Sequence, residues 1–575
     1  MKTQQILSLL VAISSSLAAP YRGRLQPRQA PSGAPVVTLQ NGSYYGVEQT
    51  NYSQDLFLGI PFAEPPIDEL RFANPQSLNQ TWEGQWPATN YAFECIGYGG
   101  DQIGYQQSED CLYLNVVRPS GYENQSLPVA VWIHGGGFYM GGAVDRRYNL
   151  SFIVENSVKI GKPIIAASIP YRLGPFGFLQ SSEVQAAGQT NLGLKDQRLA
   201  LQWIQENIGA FGGDPDKVTI FGESAGGASV GFHITAFNGR DDGLFRAAIL
   251  ESGNPVSYQP LNGVDFYQPI YDNLTKAAGC GNCSDTLACL RDVPLFVLNN
   301  ILNTTEFNSG WNPTIDGDFV ARPGSEQLAD GSFVKVPIID GANSDEGTAF
   351  SPRGIDTEAD FVAVLQANSS SAGRPGQQGL SPEVIQQILD AYPADPDAGI
   401  PSSESLGGNV TIPLPFGVQW RRSAAFAGDQ TFIAGRRLTC QTWAAAGVNA
   451  YCYRFNAIPA GIPWPIQATH FQEVAFVFNN LEGLGYAIPP FQNKSEAYTR
   501  LSDFMSNTWA SFVYDLNPNN WTGRAEYGAE DWPKYTTHEP QDFVFDANRT
   551  SYAEPDTYRA EGIALINSLN PVFGR

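Results

Sequence analysis

Three short stretches hold residue types that together do acyl-transfer chemistry. The first is K-V-T-I-F-G-E-S-A-G-G, Lys217 to Gly227. It puts Ser224 in a G-x-S-x-G frame, after a β-branched run and before a run of small residues. Such a frame makes a sharp strand-to-helix turn that lifts the hydroxyl clear of a sheet, and Gly222, Ala225 and Gly226 supply the small side chains a cramped turn demands. A serine hydroxyl does not ionise near neutral pH, so it needs a base, and the oxyanion it creates needs hydrogen-bond donors. Upstream, V-W-I-H-G-G-G-F, Val131 to Phe138, is an apolar run entering a glycine loop whose N–H groups are free to turn inward. Gly136, Gly137 and the first helical amide, Ala225, are the candidate oxyanion donors.

The chain has four histidines, so the base is found by elimination. His134 abuts the glycine loop and braces it. His233 lies on the helix after Ser224, and His538 in a polar C-terminal loop. That leaves His470, in Q-A-T-H-F-Q-E-V, after a late strand. In this arrangement the chain order is serine, acid, histidine. The acid then comes from V-P-I-I-D-G-A-N-S-D-E-G-T, Val336 to Thr348, which offers Asp340, Asp345 and Glu346. Its task is to hold the imidazole in one tautomer and to stabilise the imidazolium. The spacing alone leaves Asp345 and Glu346 equivalent.

Buried strands and helices must hold these groups. Val129 to His134, Pro163 to Tyr171, Lys217 to Phe221, Ala247 to Glu251, Val336 to Asp340 and Asn449 to Phe455 are short apolar, β-branched runs. Helical periodicity covers Gln197 to Ile208 and Ser423 to Ala446, and a helix begins at Ala225. Strands alternating with helices predict an α/β fold, a large mostly parallel sheet with helices on both faces. The stretches 255–333 and 357–415 are expected to be largely helical excursions. No repeat and no polar linker divides the 575 residues, so residues 36–575 are expected to form one catalytic domain.

Composition bounds the function. The formal charge is −23 and only 16% of residues are charged, which excludes a cationic surface for nucleic acid. Lys2, the apolar run Ile6 to Leu17 and Ala18-Ala19 form an export signal, expected at 1–18 and too short to span a bilayer. Residues 19–35 are expected to be a short pro-segment or disordered start. N-x-S/T acceptors stand at Asn41, Asn51, Asn79, Asn124, Asn149, Asn273, Asn282, Asn303, Asn368, Asn409, Asn493, Asn520 and Asn548, a density that favours a secretory route. Seven cysteines in an oxidising compartment should mostly pair. Cys95 with Cys111 and Cys280 with Cys289 close short loops. Cys440 and Cys452 are brought level by a helix ending near Gly447 and a strand returning from Asn449. Cys283 is left over. No His or Cys pairs recur at zinc-ligand spacing. No metal, cofactor or membrane anchor is called for, and the oligomeric state is open.

With these motifs the chain resembles the type-B carboxylesterase/lipase family, the cholinesterase-like branch of the α/β-hydrolases. The resemblance is carried by S-E-D-C-L-Y-L-N-V, Ser108 to Val116, by F-G-G-D-P through G-E-S-A-G-G, Phe211 to Gly227, and by Y-R-L-G-P-F-G-F-L and N-L-G-L-K-D-Q-R-L-A-L-Q-W-I. It implies the α/β-hydrolase fold and ester hydrolysis through an acyl-serine intermediate. It selects Glu346 as triad acid and maps the base to His470, the oxyanion donors to Gly136, Gly137 and Ala225, and disulfides to Cys95–Cys111 and Cys280–Cys289. It also maps structural ion pairs to Arg71 with Glu109 and Arg172 with Asp196, and makes Glu223 a buried carboxylate behind the site.

The chain departs from that pattern in two places. Gln467-Ala468 replaces the glycine usual before the base histidine. The loop Ile96 to Asp110, a mobile apolar lid in lipases of the family, is short, mostly polar and glycine-rich, with Tyr98 and Tyr105 but no tryptophan to hold a choline cation. These features imply an accessible site, a small dissolved ester as substrate and no choline specificity. A lipase or sterol esterase and a feruloyl-type aryl esterase are the alternatives. A non-enzymatic adhesion protein is disfavoured by retention of Ser224, Glu346 and His470. Phe138, Phe232, Phe471 and Trp464 are loose candidates for an acyl pocket.

Overall fold

A computed structural model of the chain describes residues 29–367, 379–408 and 410–575. The export signal and the acceptors Asn368 and Asn409 lie outside the described residues. An eleven-stranded sheet organises the fold. Its strands are β1 Val47–Gln49, β2 Gln54–Pro61, β3 Tyr113–Pro119, β4 Leu127–Ile133, β5 Ile165–Ile169, β6 Gly213–Glu223, β7 Ala247–Glu251, β8 Ile338–Asn343, β9 Ala450–Phe455, β10 Gln541–Phe545 and β11 Tyr552–Pro555. Their spatial order is β11-β10-β9-β8-β7-β6-β4-β5-β3-β2-β1. The strands from β4 to β10 run parallel, and antiparallel strands close both edges.

Each central strand is apolar on both sides because each side has its own core. In β4, Val129, Val131 and Ile133 pack into one cluster, while Ala130 and Trp132 pack into another. In β7, Ala248 and Leu250 join the first, Ala247 and Ile249 the second. This two-sided burial distinguishes a covered parallel sheet from a half-solvated antiparallel one. Helices α1 Leu150–Lys159, α2 Leu192–Asn207, α3 Ala225–Gly239, α4 Trp420–Gly428, α5 Ala434–Ala445 and α6 Glu496–Asp515 include the layers that cover it. The excursion between β7 and β8 carries helices Val264–Ala277, Thr286–Asp292, Leu295–Leu302 and Gly324–Asp330.

The structure refines several expected elements. The helix expected over Ser423 to Ala446 is two helices joined by a π-helical segment, Asp429–Ile433. The strand before Ser224 starts earlier, at Gly213. The outer strands β1, β2, β3, β10 and β11 carry no sequence expectation. Disulfides join Cys95 to Cys111, Cys280 to Cys289, and Cys440 on α5 to Cys452 on β9, leaving Cys283 free and exposed. Buried ion pairs join Arg71 to Glu109 at 2.5 Å and Arg172 to Asp196 at 2.7 Å. Among the described residues, no helix is long and apolar enough to cross a membrane.

Candidate functional site

The loops that leave the carboxyl ends of β4, β6, β8 and β9 meet over the sheet, where open α/β sheets place their ligands. Ser224 caps α3 with φ 58° and ψ −121°, a conformation that costs a non-glycine residue energy and persists only when its surroundings dictate it. Those surroundings are visible. The Ser224 N–H donates to the Glu251 carbonyl at 2.9 Å, and its own carbonyl accepts from Ala228 at 2.8 Å. The side chain is half-buried between fully buried neighbours.

Close approach of β4 explains the small residue at 226. A Cβ added to Gly226 would lie 2.0 Å from the Ile133 carbonyl oxygen, which is ladder backbone and cannot yield alone. Gly226→Ala is therefore expected to cost about 3 kcal/mol of stability by overpacking. Thermal unfolding of the purified variant measures this, and an unchanged Tm would contradict the geometry.

The glycine loop touches the nucleophile. A Cβ on Gly135 would sit 3.1 Å from Ser224 Cβ. Gly136 and Gly137 take φ values of 101° and 63°, in the left-handed region that glycine enters without penalty. No other described residue takes their N–H groups. His134 lies beneath the loop, fully buried. Its Nδ1 is 2.8 Å from the Gly135 carbonyl, and its ring stacks on Tyr171 at 4.4 Å. Burial pulls its pKa down to about 4, so it stays neutral. His233 bonds Gln197 inside the core, and His538 is exposed.

His470 stands between the acid loop and the turn bearing Ser224. Its Nδ1 is 2.7 Å from Glu346 Oε2, and its Nε2 is 3.1 Å from Oε1 of Glu223, the residue before Ser224. Glu346 Oε1 accepts from the Asn343 N–H at 2.8 Å and from the Ser252 hydroxyl at 2.5 Å. Asp345 points elsewhere. Its carboxylate accepts the Ala468 N–H at 3.1 Å, and its N–H donates to the Ala468 carbonyl at 2.9 Å. This pair of bonds ties the histidine loop to the acid loop. Burial raises the Asp345 carboxyl to about 7. Asp340 is buried inside β8, with neither oxygen bonded. Where a glycine is usual before the histidine, Gln467 itself adopts φ 62°.

Glu223, expected as a buried carboxylate behind the site, is fully buried there. Several other neighbours carry no sequence signal. Glu251 and Glu473 lie fully buried with Glu223 around Glu346, and all three carboxyls are raised above the usual carboxylate range, first by burial and then by neighbouring carboxylates. Phe432, in the π-helical segment, stacks on the His470 ring at 4.7 Å and 5°, and Phe350 meets the same ring edge-on at 5.1 Å. The π-turn places an extra residue in one turn of an otherwise continuous helical run, where a single α-helix is expected. Of the acyl-pocket candidates, Phe138 and Phe232 are core residues that pack on each other. Phe471 lies under the Arg147 guanidinium, and Trp464 is exposed.

The Carboxylesterase family model matches residues 33–561. The chain belongs to the carboxylesterase family. It is 34% identical to Secreted lipase 1 of Botryotinia fuckeliana (strain B05.10), over 92% of this chain and 93% of that protein. It is 32% identical to Lipase 4 of Diutina rugosa, over 93% of each. The crystal structure of Aspergillus niger EstA superposes with a TM-score of 0.79 at 28% identity, covering 94% of this chain and 99% of that one. This carboxylesterase thus has the α/β-hydrolase fold and hydrolyses carboxylic esters, with a small-molecule ester as its substrate.

Proposed function

We propose that this carboxylesterase is a secreted serine esterase, with residues 36–575 as one catalytic domain, and that it cleaves dissolved esters through an acyl-Ser224 intermediate. The observation that carries the reading is the place of the His470 ring, bonded through Nδ1 to Glu346 with Nε2 turned to the residue beside Ser224. In this mechanism Nε2 takes the Ser224 proton as the oxygen attacks the ester carbonyl. Gly136, Gly137 and Ala225 N–H groups stabilise the oxyanion, each worth about 3 kcal/mol at the transition state. The imidazolium protonates the departing alcohol. Water, deprotonated by the same nitrogen, then releases the acid.

The disulfide pattern and the secreted relative support export. The names of the two fungal relatives favour a second reading, a lipase. The rims of the two readings differ in the Cys95–Cys111 loop, which is short and polar here. A fluorophosphonate probe is expected to label Ser224, and no label there removes the acyl-serine mechanism. Hydrolysis of a p-nitrophenyl ester series is expected to rise smoothly through the critical micelle concentration. A sharp jump at that threshold decides for the lipase. Phe350 and Phe432 beside His470 offer an aromatic wall, so aryl esters belong in the same series.

A further inference from the structure

We propose that the Cys95–Cys111 loop is a fixed buttress of the oxyanion loop, not a lid, and that Gln102 is the positioning residue that transmits its rigidity. The inference rests on the reading of Gly136 and Gly137 as oxyanion donors.

Gln102 is a buried amide in an otherwise polar loop. Its Oε1 accepts the Gly141 N–H at 2.6 Å, and its Nε2 lies 3.3 Å from the Gly141 carbonyl. The same Nε2 is 3.3 Å from the Cys95 carbonyl and from Glu94 Oε2. One side chain thus grips both faces of a single residue, as a neighbouring strand would, and ties it to the disulfide at its base. A second bond follows the same route, from the Tyr98 N–H to the Tyr139 carbonyl at 2.8 Å.

Gly141 is the far end of the turn that carries the oxyanion donors. The Gly136 carbonyl accepts the N–H groups of Tyr139 and Met140, at 3.2 and 3.0 Å. A Cβ on Gly136 would meet the Met140 carbonyl oxygen at 2.3 Å, and one on Gly141 would meet the Gly135 carbonyl oxygen at 2.7 Å. The two limbs of the turn are therefore in backbone contact. A turn with glycines at 135, 136, 137 and 141 has little order of its own, because glycine loses the most conformational freedom on folding. Oxyanion donors act by being in place before charge develops. Order therefore depends on contacts from outside the turn: Phe138 is packed among Tyr171, Phe178 and Phe232 at its middle, and Gln102 is the side chain whose hydrogen bonds hold its far end at Gly141.

The loop is itself anchored on its outer side. Asp101 pairs with Arg147 at 2.8 Å, the Tyr105 hydroxyl accepts the Arg146 N–H at 3.0 Å, and the Tyr98 hydroxyl donates to Asn299 at 2.9 Å. Swinging the loop outward breaks all of these contacts together with the grip on Gly141. An open state of this loop therefore has a loosened oxyanion turn, the reverse of a lid whose opening activates.

Gln102→Met keeps the length of the side chain and removes both polar arms. It is expected to lower kcat on p-nitrophenyl butyrate by about 10–100-fold, the scale of a small misplacement of catalytic groups, with KM changed less than twofold. Affinity for an arylboronic acid, which mimics the tetrahedral intermediate, should fall in parallel with kcat. A folded Gln102→Met enzyme with wild-type kcat and wild-type boronate affinity overturns the proposal. Hydrogen exchange on the wild-type enzyme tests it without a variant. Peptides spanning 96–110 and 134–142 should be protected alike, with and without detergent micelles, and micelle-induced exchange in 96–110 overturns the buttress. Ser224→Ala is the control for the underlying reading. If that variant keeps its activity, the assignment of the site has failed, and the Gln102 result then bears on structure alone.

Discussion

Replacing Ser224 or His470 by alanine is expected to lower kcat by about 10⁶-fold, and replacing both should cost no more than either alone. The three side chains act as one unit. Without the imidazole the hydroxyl keeps its proton, and without the hydroxyl the imidazole has nothing to activate, so the second loss removes nothing further. A residual rate of about 10³-fold over water is expected from the oxyanion donors and substrate binding. Glu346→Gln should be milder, about 10⁴-fold, because the amide sets the wrong imidazole tautomer while leaving the ring in place. Asp345→Asn separates the neighbouring carboxylates. Its oxygen serves the Ala468 main chain, so its loss should loosen the histidine loop and lower Tm, with a far smaller effect on kcat. Single-turnover rates per mole of folded enzyme measure all five variants, and thermal unfolding gives the Tm of Asp345→Asn. A double variant a thousandfold slower than both singles would mean that Ser224 and His470 act independently, contrary to the proposed mechanism.

The parts of the site legible in the sequence are those encoded locally. The turn at Ser224 needs Gly222, Ala225 and Gly226 within a few residues, and all are present in one motif. His470 was reachable because only three other histidines compete. The choice between Asp345 and Glu346 is a different kind of problem. Adjacent residues at a turn point in different directions, and that difference is a property of the folded loop. Glu251 and Glu473 join Glu223 from two other segments of the chain, and Phe432 owes its place to a π-turn inside what reads as one helix. The sheet shows the same division. Central strands such as β4 stand out because both faces are buried, whereas β1, Val-Glu-Gln, is short, half-polar and paired on one side only. Gln467 at φ 62° shows that a missing glycine does not exclude the conformation glycine usually supplies.

Folding stability is expected to fall as pH rises through neutrality, an unusual direction for a protein with this many carboxylates. Asp345 is raised to about 7 from 3.8, and Glu94, Glu223, Glu251, Glu473 and Asp340 are raised too, burial being the first cause in each. A group raised in the folded state binds a proton that the unfolded chain has released. Its contribution is complete below the unfolded value and is lost as pH rises through the folded one. Each such group removes at most about 1.4 kcal/mol per pH unit within its window. His134, lowered to about 4 from 6.5, and His233, also lowered, work in the opposite sense. Their contribution is complete well above 6.5 and is lost as pH falls through the depressed folded values, so on the acid side they oppose the carboxyls. Well above pH 6.5 both of these histidines are neutral in the folded and unfolded states, so the alkaline end of the slope reports the raised carboxyls. Urea unfolding at half-unit steps of pH measures it. Glu251 accepts the Trp509 indole N–H at 2.8 Å through Oε1, an acceptor that glutamine retains. Glu251→Gln should therefore fold and flatten the alkaline slope by one group's share. Stability that rises from pH 6.5 to 8.5 would mean that the cluster is ionised in the native enzyme. In that state an anionic Glu223, 3.1 Å from Nε2, would hold the imidazole proton against the transfer from Ser224 that the proposed mechanism requires.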